Sequence, residues 1–195
     1  MVWQEKSKSI VMLCNIMECG KKKCEQYWPN TEGATKEYGT LKVTCNKITQ
    51  EESMLTISRL NVSDGSVDLS VEHIAWNNWP DRGVPPNFLA PFRLLQRLKG
   101  QVNIIIHCSA GIGRTGTIVG LDMAECLFSS GKPVNMADIV KELRKQRNGS
   151  VQTDIQYVYM HRCLVGLCEN KKVMKREELS NFIKDFDVVA AARGK

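Results

Sequence analysis

The sequence predicts a mixed α/β (α+β) fold, and three observations carry that reading. An apolar run, Val102-Asn-Ile-Ile-Ile106, leads into a glycine-rich loop and then into an amphipathic stretch from about Thr115 to Phe128. That order reads as strand, tight loop, helix. Upstream, Leu41–Ile48, Met54–Val62 and Val67–Trp76 are β-rich and partly alternating, with breaks between them. Downstream, Met136–Arg147 and Ile155–Leu167 carry apolar residues at helical spacing. A chain of 195 residues suggests one domain with a sizeable core.

Taken in order, Ile10–Leu13 reads as a buried strand. The segment Asn61-Val-Ser-Asp-Gly65 is a turn signal, so Met54–Val62 and Val67–Trp76 are expected to pair as a hairpin. Asn87–Leu98 has helical spacing and is stopped by Gly100. Val102–Ile106 is expected to be the central strand. Glu177–Ala192 closes the chain as an amphipathic helix with Phe182, Ile183 and Phe186 on its apolar side. That segment is either a packed extension or a partner-binding tail.

Composition narrows the function classes. Apolar content is 43% and charged content 25%, ordinary for a globular protein. No apolar stretch approaches the ~18 residues of a membrane span, and Ile10–Leu13 is too short for a signal peptide. Eight cysteines without a secretory leader point to a reducing compartment, hence a cytoplasmic location. Cys14, Cys19 and Cys24 are spaced by five and the chain has three histidines, so no metal site is expected. The net charge of +6 gathers at Lys21–Lys23, Lys141–Arg147 and Lys171–Arg176. Most of these read as solvated faces, although a positive surface also attracts acidic, phosphorylated peptides. No aromatic interleaving or nucleic-acid motif accompanies them, so nucleic acid is not an expected partner.

The chemistry concentrates in His107-Cys-Ser-Ala-Gly-Ile-Gly-Arg-Thr-Gly-Thr117. A loop entering a helix N-terminus aims backbone N–H groups and the helix dipole at one spot, which favours an anion. Gly111 and Gly113 let the backbone curl, and Arg114 can grip two oxygens of the anion in a fork. The same field favours the thiolate of Cys108, and thiols so placed have pKa values of about 3.5–7.5. Sulfur attack on a phosphoryl group follows. A buried cysteine is more often a small core hydrophobe. A nucleotide cradle is the other alternative, but the loop lacks a Gly-Lys-Ser/Thr ending.

The spacing His-Cys, five residues, Arg-Ser/Thr resembles the signature loop of the protein tyrosine phosphatases, in their tyrosine-specific branch. Three further segments resemble that branch in the same order. They are Lys23-Cys-Glu-Gln-Tyr-Trp-Pro29 preceded by Glu18, the acid loop Trp79-Pro-Asp81 with Arg82-Gly-Val-Pro85, and Gln152-Thr-Asp-Ile-Gln-Tyr157. The resemblance runs from Met1 to about Leu167. It implies a catalytic domain over 1–168, a helical extension over 169–195, and the cysteine phosphatase fold, a central mixed twisted sheet flanked by helices.

The resemblance also implies roles. Cys108 is the nucleophile and forms a thiophosphoryl intermediate. Arg114 and the N–H groups of Ser109, Ala110, Gly111, Ile112 and Gly113 hold the phosphoryl oxygens. Asp81 protonates the leaving oxygen and then serves as base for water. Gln152 orients that water with support from Gln156, and Thr115 donates its hydroxyl to the leaving thiolate. His107 fixes the loop, Glu18 orients Arg114, Lys23 meets Asp81 on loop closure, and Trp79 anchors the hinge. His73 and His161 read as ordinary surface or core residues. Taken singly, Asp81 is a turn carboxylate, Gln152 a first-turn helix residue beside a Thr153 cap, and Glu18 and Lys23 surface charges. No cofactor is implied, and the partners are phosphotyrosine-containing proteins. A phosphotyrosine-binding pseudophosphatase module and a dual-specificity phosphatase are the alternatives.

The sequence departs from the family in three places. Relatives carry a tyrosine-bearing loop, strands and helices ahead of the segment matching Met1-Val-Trp3. The resemblance therefore implies a shortened domain with uncovered sheet edges and no tyrosine-selecting wall. Arg82 stands where an aromatic residue or histidine is common, and Ser150 where methionine is usual.

Overall fold

The computed structural model describes residues 1–193. In chain order the elements are α1 (Val2–Glu5), β1 (Ser9–Met12), β2 (Met17–Glu18), β3 (Lys21–Lys22), β4 (Thr35–Tyr38), β5 (Leu41–Glu51), β6 (Leu55–Ser63) and β7 (Asp68–Trp76). They continue with α2 (Ala90–Leu98), β8 (Ile105–His107), α3 (Gly113–Ser129), α4 (Met136–Gln146), α5 (Asp154–Asn170) and α6 (Arg176–Arg193). The chain divides into two compact units, Met1–Trp79 with Leu98–Ser109, and Pro80–Arg97 with the chain from Ala110 onward.

The first unit holds a six-stranded mixed sheet in the order β4-β5-β6-β7-β1-β8. β1 runs parallel to both β7 and β8, and the remaining pairs are antiparallel. All four residues of β1 are buried, the pattern of a parallel strand covered on both faces. The expected hairpin is β6–β7, and the Asp64 carboxylate accepts the Ser66 and Val67 N–H groups in its turn.

One expectation fails here. The strand read at Val102–Ile106 spans only Ile105–His107, and it lies at one end of the sheet rather than at its centre. Val102 is 76% exposed and Asn103 has a φ of 56°, so the apolar run begins outside the ladder. Apolar content marked the strand but says nothing of how many neighbours it gains. The reading also passed over β4 and the short β2–β3 hairpin, whose residues alternate too weakly to signal strands.

The second unit is helical. α3 packs on α4 and α5, and α5 packs on α6. Ile118, Leu121, Ile139, Leu143, Tyr159, Met160 and Cys163 are buried along these faces. The helix expected from Asn87 starts at Ala90, because the Asn87 carboxamide oxygen accepts the Leu89 and Ala90 N–H groups and caps it. Asn135 caps α4 in the same way. Thr153 and Gln156 form a capping box at the start of α5. Ile183 and Phe186 are the buried side of α6. Residues 194 and 195 of the expected extension lie outside the described residues.

Candidate active site

β8 delivers the signature loop. It is fixed by its parallel register with β1, Met12 opposite His107, and by the Leu13 N–H donating to the His107 carbonyl at 2.8 Å. Cys108 follows at once and is 7% exposed. His107 sits at the end of a polar chain in the first unit. Its Nε2 lies 2.6 Å from the Tyr27 hydroxyl, which lies 2.9 Å from His73 Nε2. His107 Nδ1 lies 3.2 Å from the Cys108 carbonyl oxygen. The imidazole thus links the Cys108 main chain to the Tyr27 hydroxyl.

Burial keeps both rings neutral. It lowers the His107 pKa, and it pushes that of His73, fully buried and stacked on Trp28, down to about 3. Burial also raises the Tyr27 phenol above its ordinary value, so Tyr27 stays protonated. The sequence reading left Tyr27 and His73 without a task. The signal was three polar ring residues on separate apolar segments, which has no local pattern.

Glu18 Oε1 accepts the Asn15 N–H at 2.9 Å, and the Lys23 N–H donates to the Ile16 carbonyl at 2.8 Å, closing the β2–β3 hairpin. Trp79 is 1% exposed and meets Trp76 edge-on at 5.0 Å, an anchor immediately before Pro80-Asp81.

In the second unit, α3 opens at Gly113 with Ile112 as its N-cap, and no side chain caps it. The first-turn N–H groups of such a helix favour an anion. Gly111 has a φ of 69°, which an L side chain tolerates poorly. Gly113 is pressed from the other side: a Cβ there would sit 3.1 Å from Gln152 Oε1 and 3.1 Å from both terminal atoms of Gln156. Gln156 is 1% exposed and accepts the Gln152 N–H at 3.0 Å, so the two expected glutamines lie together at the helix start. The Thr115 hydroxyl is buried without a hydrogen-bond partner. Ser109 and Ala110 are exposed at the loop's rim.

Arg114 is 2% exposed, and its Nη2 lies 3.3 Å from Asp81 Oδ1. The acid loop is held near α5 by Thr153 Oγ1, which donates to the Arg82 carbonyl at 3.1 Å. A cleft of about 820 Å³ opens among Pro80–Pro86, Phe88, the start of α5, and Phe186, Asp187 and Ala190 of α6.

Two arginines of Lys141–Arg147 are exposed, as a solvated face requires, and also bind backbone carbonyls. Arg147 donates from Nε to the Gly111 carbonyl at 2.7 Å and from Nη2 to the Ala110 carbonyl at 3.0 Å. Arg144 donates to the Ser150 and Val151 carbonyls, each at 3.0 Å. Lys141 and Lys145 have exposed i,i+3 carboxylate partners. A run of charges in sequence does not reveal which members find backbone acceptors.

The model of the family described as protein-tyrosine phosphatase matches residues 1–166. Receptor-type tyrosine-protein phosphatase C of Mus musculus is 37% identical over 174 residues, covering 85% of this chain and 13% of that protein. Tyrosine-protein phosphatase 1 of Caenorhabditis elegans is 39% identical over 169 residues, covering 82% of this chain and 16% of that one. The chain thus spans less than a fifth of the length of these relatives. Two solved structures of protein tyrosine phosphatase non-receptor type 18, one of the human catalytic domain, match with TM-scores of 0.79 and 0.76. Each is 30% identical over 85% of this chain and 62% of its own.

Proposed function

Because this chain belongs to the protein-tyrosine phosphatase family, we propose that it hydrolyses phosphotyrosine in proteins through a cysteinyl phosphate on Cys108. The observation that carries the reading is the contact between Asp81 and Arg114. They are 33 residues apart in sequence, and the carboxylate reaches the guanidinium at 3.3 Å. The acid and the oxyanion clamp of the proposed reaction lie together.

The Cys108 thiolate attacks phosphorus and the tyrosyl C–O–P bridge breaks on the phosphorus side. Asp81 gives its proton to the departing phenol oxygen. Arg114 and the N–H groups from Ser109 to Arg114 hold the three equatorial oxygens, where positioning and charge supply most of the acceleration. Asp81, now a carboxylate, takes a proton from the water that Gln152 and Gln156 orient. That water attacks phosphorus and expels the thiolate, which receives a hydrogen bond from Thr115. The substrate phosphate displaces Asp81 from the guanidinium as it binds.

Residues 1–168 form the catalytic domain in this reading and 169–195 a helical extension; the match to residues 1–166 supports the first boundary. The partners in this reading are phosphotyrosine-containing proteins, in line with the family match, and a thiol-preserving cytoplasmic setting fits eight cysteines. Among the described residues, no helix is long and apolar enough to cross a membrane.

The test is hydrolysis of an aryl phosphate and of phosphotyrosine and phosphothreonine peptides, with a thermal melt of each protein. Cys108→Ser should melt like the parent and lose about four orders of magnitude in turnover or more. Turnover retained by that variant overturns the mechanism. Equal rates on both peptides reassign the chain to dual specificity, and binding without turnover by the parent reassigns it to a binding module.

A further inference from the structure

Three side chains that take no part in the chemical steps of the proposed reaction meet in the first unit. Cys14 follows β1, Cys24 follows β3, and His107 ends β8. The Leu13 to His107 ladder bond sets Cys14 beside the imidazole, and the bond from Lys23 N–H to the Ile16 carbonyl folds Cys24 back to them. The two sulfurs and a ring nitrogen of His107 all lie within 4.8 Å of one another. The Cys14 and Cys24 side chains are hydrogen-bonded to each other. Cys19, the middle member of the spaced trio, is exposed and is not part of this group.

We propose that Cys14, Cys24 and His107 form a binding site for a thiophilic divalent cation, with Zn²⁺ as its ligand of choice. Two thiolates and an imidazole are a soft donor set, which selects zinc over the hard cations that prefer oxygen. In a tetrahedral zinc site, bonds of about 2.3 Å to sulfur and 2.0–2.1 Å to nitrogen put neighbouring donors roughly 3.7 Å apart. The donors need to close by about an ångström at most. Cys14 is buried, while Cys24 and His107 are half-buried, which leaves solvent a route to a fourth coordination position that water would fill.

His107 also has the outer support of a metal-bound histidine. Such a ring holds the metal through one nitrogen and is oriented by a hydrogen bond at the other. Here one nitrogen meets the Tyr27 hydroxyl at 2.6 Å and the other the Cys108 carbonyl oxygen at 3.2 Å. Metal binding exchanges one of these contacts and retains the other as the orienting bond. The two thiols lose their protons to solvent on binding, and no electrons move.

The experiment uses the full chain carrying Cys108→Ser, which removes the proposed nucleophile as a competing thiol and makes the result independent of the phosphatase reading. The reduced, metal-free protein is titrated with Zn²⁺ against a chromophoric chelator, and with Co²⁺ to read thiolate-to-metal charge transfer. One equivalent should bind and the thermal melt should rise. Adding Cys24→Ser at its half-buried position should weaken affinity by about tenfold or more and remove part of the charge-transfer band, as should Cys14→Ser. Adding Cys19→Ser should change neither. Failure to bind, binding indifferent to Cys24→Ser, or loss of binding through Cys19→Ser each overturn the proposal.

Discussion

Asp81 and Arg114 are the residues on which the proposed chemistry turns, and their contact divides what each variant should do. Asp81→Asn keeps the size of the side chain but cannot donate the proton, so kcat should fall by about 10²–10⁴ with KM little changed. A pre-steady-state assay on an aryl phosphate checks this; unaltered kcat would remove Asp81 from the acid's role. His73 and His107 set a different limit. Unfolded, both titrate near 6.5, whereas burial in the fold holds both lower, His73 at about 3. Between about 6.5 and 3 the unfolded chain therefore binds more protons than the folded one. The stability they contribute is fully present above pH ~6.5 and is lost as the pH falls. The slope is at most about 1.4 kcal/mol per pH unit for each ring. Urea midpoints measured from pH ~7.5 downward should fall accordingly, and the His73 ring signals should not titrate near 6.5.

The elements around the loop show which parts were legible in the sequence. The signature run and its flanking helix could be read because Cys, Gly and Arg stand at fixed spacing and the helix shows its period. The hairpin announced its turn, and Thr153 and Gln156 announced their cap. Arg147 was not legible, because its guanidinium reaches carbonyls 36 and 37 residues back along the chain. The backbone at Val151 was hidden too. Its φ of 60° puts a β-branched residue in the left-handed region one position before Gln152, and Arg82, one position after Asp81, has a φ of 58°. Both strained residues adjoin groups of the proposed reaction, as strain at working sites tends to. If Arg147 shapes the loop, Arg147→Met should lose two charge-assisted bonds. Such bonds contribute up to about 1.5–3 kcal/mol to the folded state, so the melting temperature should fall, and kcat/KM should drop by about tenfold or more as the loop loses its shape. Full activity in that variant would leave Arg147 a surface residue.

At the scale of the whole chain, the +6 charge is not a uniform solvated coat. Arg114 and Arg162 are buried, the latter over the Phe88 ring at 4.0 Å. α6 lies beyond the residues matched by the family, yet Phe186 is 3% exposed and meets Phe88 edge-on at 5.4 Å. It is packed as core, so Phe186→Ala should cost about 3 kcal/mol in a urea titration. A cost near zero would make α6 a detachable tail. The first unit carries a further lesson in the ladder that joins β1 to β8. Cys108 owes its position to main-chain pairing, Met12 opposite His107, and not to the chemistry of the β1 side chains. Those side chains are then at liberty to drift among apolar types over generations without moving Cys108. A slip of one residue would turn every side chain of the strand to the opposite face. The position of Cys108 is therefore inherited through alignment, a property that tolerates substitution and forbids insertion.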